Sequence, residues 1–499
     1  MRAFIDARSV PAGSTIETDV AIVGGGPAGI SLALALADTP ARVLMLESGG
    51  EAFDAATQNL YAGSETGVRY IPLDATRLRY LGGCSNHWGG WCRPLDPVDF
   101  EKRDWFPHSG WPFERREIEP YYPRAQSLVE AGPLIYDDSA KWTKALGAPL
   151  RLGLGGLYTT WFQFSKQRGS VLPTHFGTRY ARDLKRTNNL AVFLHANVTR
   201  LGLSPDATRL DRLDIATLGG NRFTVKPKTA VVATGGIETP RLLLASNDVV
   251  SKGVGNAHDL VGRFFADHPI PPQTATLVIF DGRIAPYYQL TQIANGANFR
   301  AAFAPANAFR RARGVPGALI TVEGEVQLDS MGQAALAAAA GAFGADASQM
   351  RAFTLGCGLE LAPDPERRLT LTDEKDALGM PRLKLAMRVS DDDFGHYRNT
   401  LRELGRQLLA ARTGMLRILE SSRAEWLSGL DWGNHHMGSA RMHDDPRQGV
   451  VDANSRVHGL ANLYVAGSAV FPTYGASNPT LNLIALTLRL ADRLKSQFR

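Results

Sequence analysis

The sequence predicts an α/β protein in which a largely parallel, nucleotide-binding sheet carries an inserted antiparallel-sheet plus helix domain. Three observations lead there. A strand, a glycine turn and a helix follow one another around Gly24. Two further apolar runs end in glycine turns, at Ala233 and at Gly467. Between Ile270 and Leu430 the pattern changes to period-two alternation and a long capped helix. At 499 residues the chain also exceeds what one hydrophobic core usually supports.

The first element is the apolar run "DVAIV", Asp19 to Val23, which breaks into "GGGPAG" and then into "ISLALALAD", a segment suited to a buried helix. That order gives the spacing GxGxxG its meaning. Gly24 makes the turn, Gly26 lets backbone approach a pyrophosphate, and Gly29 lets the helix pack on the strand, with the phosphates facing the helix N-terminus. The next strand, "ARVLMLE", ends at Glu47, eighteen residues after Gly29, where a carboxylate can accept from a ribose hydroxyl. A Rossmann-like dinucleotide-binding unit follows from these elements together.

The stretch "GGCSNHWGG", Gly82 to Gly90, places a histidine and a tryptophan among four glycines, where no hydrophobic period needs them. Backbone passes close to a ligand there, or the loop is merely tight and folds His87 and Trp88 back on itself. Further on, "KTAVVATGGIETPRLLLAS" reads as a strand, Ala230 to Ala233, entering a glycine turn and a helix. Near the C-terminus a strand, Leu463 to Ala466, precedes Gly467 in the same way. The nucleotide unit is therefore expected to span residues 1–269, including the loop 80–93 and some excursions into the substrate domain, and residues 431–499, with the substrate domain itself at 270–430.

Within that insert, "PRLKLAMRVS" puts Leu383, Leu385, Met387 and Val389 on one face of a half-buried antiparallel strand. It runs into "SDDD", a cap-rich start for a helix with Tyr397, Leu401, Leu404 and Leu408 at helical spacing. The alanine-rich "QAALAAAAGAFGADA" reads as a helix, either a lid or a filler.

Composition narrows the function classes. Hydrophobic residues at 44% and charged residues at 21% are ordinary for a globular protein. The net charge of +6 comes from scattered residues, and the densest basic run, Arg310 to Arg313, is too short to indicate nucleic acid. Three cysteines, Cys84, Cys92 and Cys357, make neither a disulfide framework nor a metal pair and fit a reducing compartment. No signal-like or membrane-spanning apolar segment is evident, so a cytoplasmic protein is expected. His435, His436, His443 and His458 lie close in sequence, but no ligand spacing repeats and no metal is expected.

The blocks "DVAIVGGGPAG", "GGCSNHWGG", "VVATGGIETPRLLLAS", "LVGRFFADHP", "HHMGSARM" and "VVDANSRVHGLANLYVAGSAVFPTYGASNPTLNLIALTLRLAD" together resemble the glucose-methanol-choline (GMC) oxidoreductases, flavoenzymes that oxidise alcohols. The resemblance implies a p-hydroxybenzoate-hydroxylase-like FAD-binding domain, with FAD held by Gly24, Gly26, Gly29, Glu47, Gly83, Ser85, Asn86, His87, Val198, Ala233, Gly467, Ser468 and Pro479. It implies His435 as the catalytic base and Asn478 as its partner. An imidazole titrates near neutrality and suits removal of an alcohol proton, while an amide can hold the same oxygen. Asn478 also precedes Pro479 as an N-cap would, so capping is a second role open to it.

"SNHW" is close to loops of pyranose-oxidase-like and choline-oxidase-like members, in which a histidine at this place is joined to the flavin 8α-methyl. A covalent link through His87 is therefore expected, with noncovalent contact as the alternative. The tail "TYGASNPTL" resembles sugar-oxidising members and points to a sugar, glycoside or polyol-like alcohol. A non-redox lyase on the same fold and an NAD-binding module without chemistry are the competing classes. Oxygen, a quinone or a cytochrome as electron acceptor is left open by the sequence.

Overall fold

The apolar run ahead of Gly24 lies inside the parallel part of one of two large sheets. A computed structural model describes residues 4–498, apart from 147–154, 167–172, 273–274, 293–296 and 420. In it the strand spans Thr15–Val23 and pairs in parallel with Val43–Leu46 on one side and Arg222–Val232 on the other. The sheet continues in parallel through Leu190–Leu194 to Phe4–Asp6. Beyond Arg222–Val232, the first half of that long strand pairs antiparallel with Leu210–Ala216, whereas Ala230–Val232 pair in parallel with Leu463–Val465. Start, middle and end of the chain thus meet in one sheet.

Continuous burial from Val20 to Val23 and from Val43 to Leu46 reflects cover on both faces, as parallel strands require. Helix Pro27–Ala35 is apolar nearly all round and packs beside helix Pro479–Lys495. Both helices begin with proline at the first turn, where a missing N–H costs nothing.

The second large sheet is antiparallel, running Gly414–Ile418, Ala275–Ile279, Arg351–Leu359, Ala318–Glu325, Asn298–Pro305, Leu157–Phe164 and Trp91–Cys92, with Thr291–Gln292 beside Asn298–Pro305. Helix Asp391–Ala410 starts at a capping box of Ser390 and Asp393 and buries Tyr397, Leu401, Leu404 and Leu408 in the same core as Leu277 and Phe353. The alternating strand, Pro381–Met387, buries Leu383, Leu385 and Met387 as its period demands. It does not join the large sheet. It forms a small one with Arg368–Lys375, antiparallel, and Gly63–Gly67, parallel. The alanine-rich helix, Ser330–Phe343, sets Leu336, Ala339 and Phe343 against Val278, Phe280 and Met350, so it fills the outer face of the antiparallel sheet.

A buried ionic network joins the insert to the C-terminal segment. Glu360 accepts from Arg103 Nη2 at 2.8 Å and from Arg310 Nη2 at 3.2 Å, and Arg310 also donates to Asp99 at 2.8 Å. Thr473 Oγ1 donates to the Asp99 carbonyl at 2.6 Å, which ties the loop before Asn478 to this network. Removing one member of such a buried cluster typically costs about 3–5 kcal/mol, because the rest is left uncompensated.

Candidate active site

The C-terminal ends of the parallel strands open onto a cavity of about 390 Å³, whose wall includes Val23, Leu46, Ala233 and Ala466. One part of the wall is made by glycines. Gly24 has φ +106°, and a Cβ there would lie 2.7 Å from the Ala233 carbonyl oxygen. A Cβ on Gly29 would fall 1.9 Å from the Gly24 carbonyl oxygen, so helix and turn are in direct backbone contact. Gly26 is different, since a Cβ there would meet nothing within 4 Å. That open space beside the N-terminus of helix Pro27–Ala35 is the cradle a pyrophosphate needs.

Glu47 closes this part of the site. Its Oε2 accepts from the Gly25 N–H and its Oε1 from the Gly49 N–H, each at 2.7 Å. A carboxylate offers about four acceptor positions, so capacity for a ribose hydroxyl remains. Val198, Gly467, Ser468 and Pro479 also line the cavity.

The loop from Gly82 is shaped by left-handed glycines, with φ +99° at Gly82 and +51° at Gly83. Ser85 Oγ donates to the Gly82 carbonyl at 2.7 Å and accepts from the Phe176 N–H at 3.0 Å, while Asn86 Nδ2 donates to the Leu81 carbonyl at 3.0 Å. Gly83, Ser85 and His87 line the cavity, whereas Asn86 and Gly29 lie outside its wall and hold the loop and the helix in place. Trp88 is anchored through its Nε1 to the Thr174 carbonyl at 3.1 Å. His87 is free to face the cavity, and desolvation there keeps its imidazole below the usual histidine range.

The other part of the wall is made by side chains. Strand Asp431–Trp432 pairs antiparallel with Pro269–Ile270, and Ala266 bridges Met437, so the two segments that carry His268 and His435 run side by side. Asn434 takes φ +58° in the turn that presents His435. Asn478 occupies the N-cap position of helix Pro479–Lys495 without a side-chain capping bond. Its Nδ2 instead lies 2.9 Å from His435 Nε2. Burial, and then the neighbouring His268 and His436, hold His435 well below the ordinary histidine range, so it is neutral at pH 7.

His436 is buried against Thr76, with Nε2 2.8 Å from the hydroxyl, and burial pushes its pKa down to about 3. His443 and His458 are absent from the cavity wall, and His458 Nε2 bonds the His443 carbonyl at 2.8 Å. Sequence reasoning assigned no role to Asp267, His268 or Tyr70. Asp267 Oδ1 accepts from the backbone N–H of both His268 and His435, at 2.7 and 2.8 Å, and Oδ2 accepts from Tyr70 at 2.5 Å. Burial raises its pKa to about 7 despite these three donors. The signal was the "ADHP" inside a block recognised only as a whole. Asp267, His268 and His435 also place three possible metal-ligand atoms within 4.8 Å of one another, but hydrogen bonds account for these groups.

The chain matches the family described as GMC oxidoreductase over residues 363–487 and the FAD dependent oxidoreductase family over residues 19–263, so the two matches take in both parts of the cavity wall. The chain belongs to the GMC oxidoreductases. This GMC oxidoreductase is 24% identical to 2-methyl-1,2-propanediol dehydrogenase of Mycolicibacterium austroafricanum, over 97% of this chain and 96% of that one. It is 31% identical to the fructose dehydrogenase large subunit of Gluconobacter japonicus, over 55% of this chain, and that match spans about half, 48%, of the relative. Among solved structures, pyridoxine 4-oxidase from Mesorbium loti shares the fold with a TM-score of 0.62 at 20% identity, covering 95% of this chain and 98% of that one. FAD is the cofactor of this GMC oxidoreductase. The open cradle at Gly26 and the carboxylate at Glu47 fit its pyrophosphate and ribose. Among the described residues no helix is long and apolar enough to cross a membrane.

Proposed function

We propose that this enzyme oxidises a CH–OH group of a sugar, glycoside or polyol-like alcohol, with His435 taking the hydroxyl proton and Asn478 holding the oxygen. The observation that carries the reading is the neutral His435 in the cavity wall with its Nε2 2.9 Å from the Asn478 amide. Bound FAD supplies a two-electron acceptor for the hydride that leaves the carbinol carbon. His435 Nε2 accepts the alcohol proton. The single lone pair of Nε2 cannot serve both, so the Asn478 Nδ2 N–H that rests on it must give way to the alcohol hydroxyl and donate to the substrate oxygen instead, which fixes the C–H direction. The names of the two relatives, a fructose dehydrogenase subunit and a diol dehydrogenase, support a polyhydroxylated substrate.

His87 is proposed to carry the flavin covalently. Its place in the cavity wall and its neutral imidazole support this, since an uncharged ring nitrogen is the form able to bond the 8α-carbon, which gives up a C–H proton as the imidazole gives up its N–H proton, the two electrons left on the flavin passing to an external oxidant. A reducing, cytoplasmic setting is supported by three free cysteines, Cys84, Cys92 and Cys357.

The test is anaerobic mixing of the FAD-loaded protein with a panel of sugars, glycosides, polyols and simple alcohols. Bleaching of the flavin by a member of the panel is expected. His435→Ala should retain FAD and slow that bleaching by about a hundredfold or more, and His436→Ala by far less. A flavin that no alcohol bleaches points to a lyase instead. Equal losses in the two variants, or normal bleaching in His435→Ala, overturn the assignment of the base.

A further inference from the structure

A general base must present a bare nitrogen to its substrate, and a neutral imidazole has one bare nitrogen and one N–H. Which nitrogen of His435 is bare is decided elsewhere. His435 Nδ1 lies 2.9 Å from His268 Nδ1, with the two rings at 84°. His268 Nε2 lies 2.9 Å from the Gly475 carbonyl oxygen.

A carbonyl oxygen can only accept, so the proton of neutral His268 is on Nε2. Its Nδ1 is then a lone pair, and the 2.9 Å contact to His435 must be donated by His435 Nδ1–H. The opposite arrangement would set two lone pairs against each other at Gly475. Burial supports the neutral state of His268, pushing its pKa down to about 4. We infer that His268 is a positioning residue that fixes His435 in its Nδ1–H tautomer and leaves Nε2 bare toward Asn478 and the cavity. The inference rests on the reading of His435 as base.

The backbone makes the arrangement stiff. One oxygen of Asp267 receives the N–H groups of both His268 and His435, and the His268 carbonyl accepts from the Gly433 N–H at 3.0 Å. Gly475, which ends the chain of hydrogen bonds, has φ +54°, and a Cβ there would lie 2.3 Å from Asp99 Oδ2. Only glycine can aim this carbonyl at His268. Asp99 is in turn fixed by Arg310, so the buried ionic network sets the far end of the relay.

The chain holds a proton without conducting one. When His435 Nε2 takes the alcohol proton, the imidazolium keeps its Nδ1–H on the His268 lone pair, and His268 keeps its Nε2–H on a carbonyl that cannot be protonated at neutral pH. One proton has moved, from the substrate oxygen to Nε2. The positive charge therefore stays on His435, beside the substrate oxygen.

The experiment is ¹⁵N spectroscopy of histidine-labelled, FAD-loaded protein at neutral pH, where the ring nitrogens report the tautomer directly. Wild type should show His435 protonated at Nδ1 and bare at Nε2; the reverse overturns the inference without any variant. His268→Gln places an amide near Gly475 but offers nothing at the Nδ1 position, and should shift His435 toward Nε2–H and slow flavin bleaching by about 10-fold or more. His268→Asn, whose amide oxygen takes the place of Nδ1, should restore the tautomer and most of the rate. An unchanged tautomer and rate in His268→Gln overturns the role of His268. Normal bleaching in His435→Ala instead overturns the base reading, and the spectroscopic result on the tautomer stands apart from it.

Discussion

Around Gly24 to Gly26 the cavity is walled by backbone that has no side chains to adjust, whereas around His435 and Asn478 it is walled by side chains, each held through a chain of partners. The first kind of wall recognises a part of the ligand that does not react, and needs only space and oriented N–H groups. The second must present one atom in one protonation state, which takes Asp267, His268 and Gly475 besides the two residues at the surface. Damage to the two walls should accordingly appear in different measurements.

The largest effect is expected just behind the glycine wall, where Gly29 packs on Gly24. Gly29→Ala forces a methyl group to within 1.9 Å of the Gly24 carbonyl oxygen and should abolish soluble, folded protein. Gly26→Val, three residues away, adds a Cβ that meets nothing within 4 Å, and should fold with unchanged circular dichroism, yet lose FAD on gel filtration. A Gly26→Val protein that keeps its flavin would break the distinction, because the open space would then not be the pyrophosphate cradle.

His87 stands between these extremes, since it touches neither fold nor chemistry. Acid precipitation of wild type should leave the yellow colour in the pellet, with an intact mass increased by one FAD. His87→Ala should bind flavin but release it to the supernatant. Colour released wholly from flavin-loaded wild type would reduce His87 to a noncovalent contact.

The smallest expected effect is on stability against acid. His268 and His436 are buried and neutral, with pKa values pushed down by burial to about 4 and about 3. In the unfolded chain each titrates near 6.5, so as pH falls below that value the unfolded state takes up protons that the folded state refuses. Stability is lost on acidification, by about 2 kcal/mol per histidine between pH 7 and pH 5. Urea midpoints at the two pH values measure it, and His436→Gln should remove about half of this two-histidine share. Asp267, with its pKa raised to about 7, gains stability over the same range and works against the histidines, so the decisive reading is the difference between variants: an equal acid-induced change in wild type and His436→Gln would show that this imidazole is charged in the folded protein.

The glycine wall could be read from the sequence because each missing side chain leaves a mark at fixed spacing, and Glu47 follows at the end of the next strand. His435 and Asn478 became legible only through resemblance, since nothing local links residues 43 positions apart. His268 is visible only as part of the block "LVGRFFADHP", because strand pairing brings it to His435 across 167 positions. The alternation of strand Pro381–Met387 gives its buried face and not the sheet it joins. Alternation reports which side of a strand is buried and carries no information about which strands adjoin it.

The position of strand Leu463–Val465 beside Arg222–Val232 has a consequence for biosynthesis. The Gly24 motif leaves the ribosome early, but its cavity lacks Ala466, Gly467, Ser468 and Asn478 until more than 430 further residues have been made. At roughly 5–20 residues per second that delay is about 20–90 seconds. During it the nascent nucleotide-binding half has no strand to cover one edge and no complete pocket to fill. Capture of the cofactor in a complete cavity must therefore wait until Asn478 has been made, and a chain arrested before Leu463 is expected to retain no FAD.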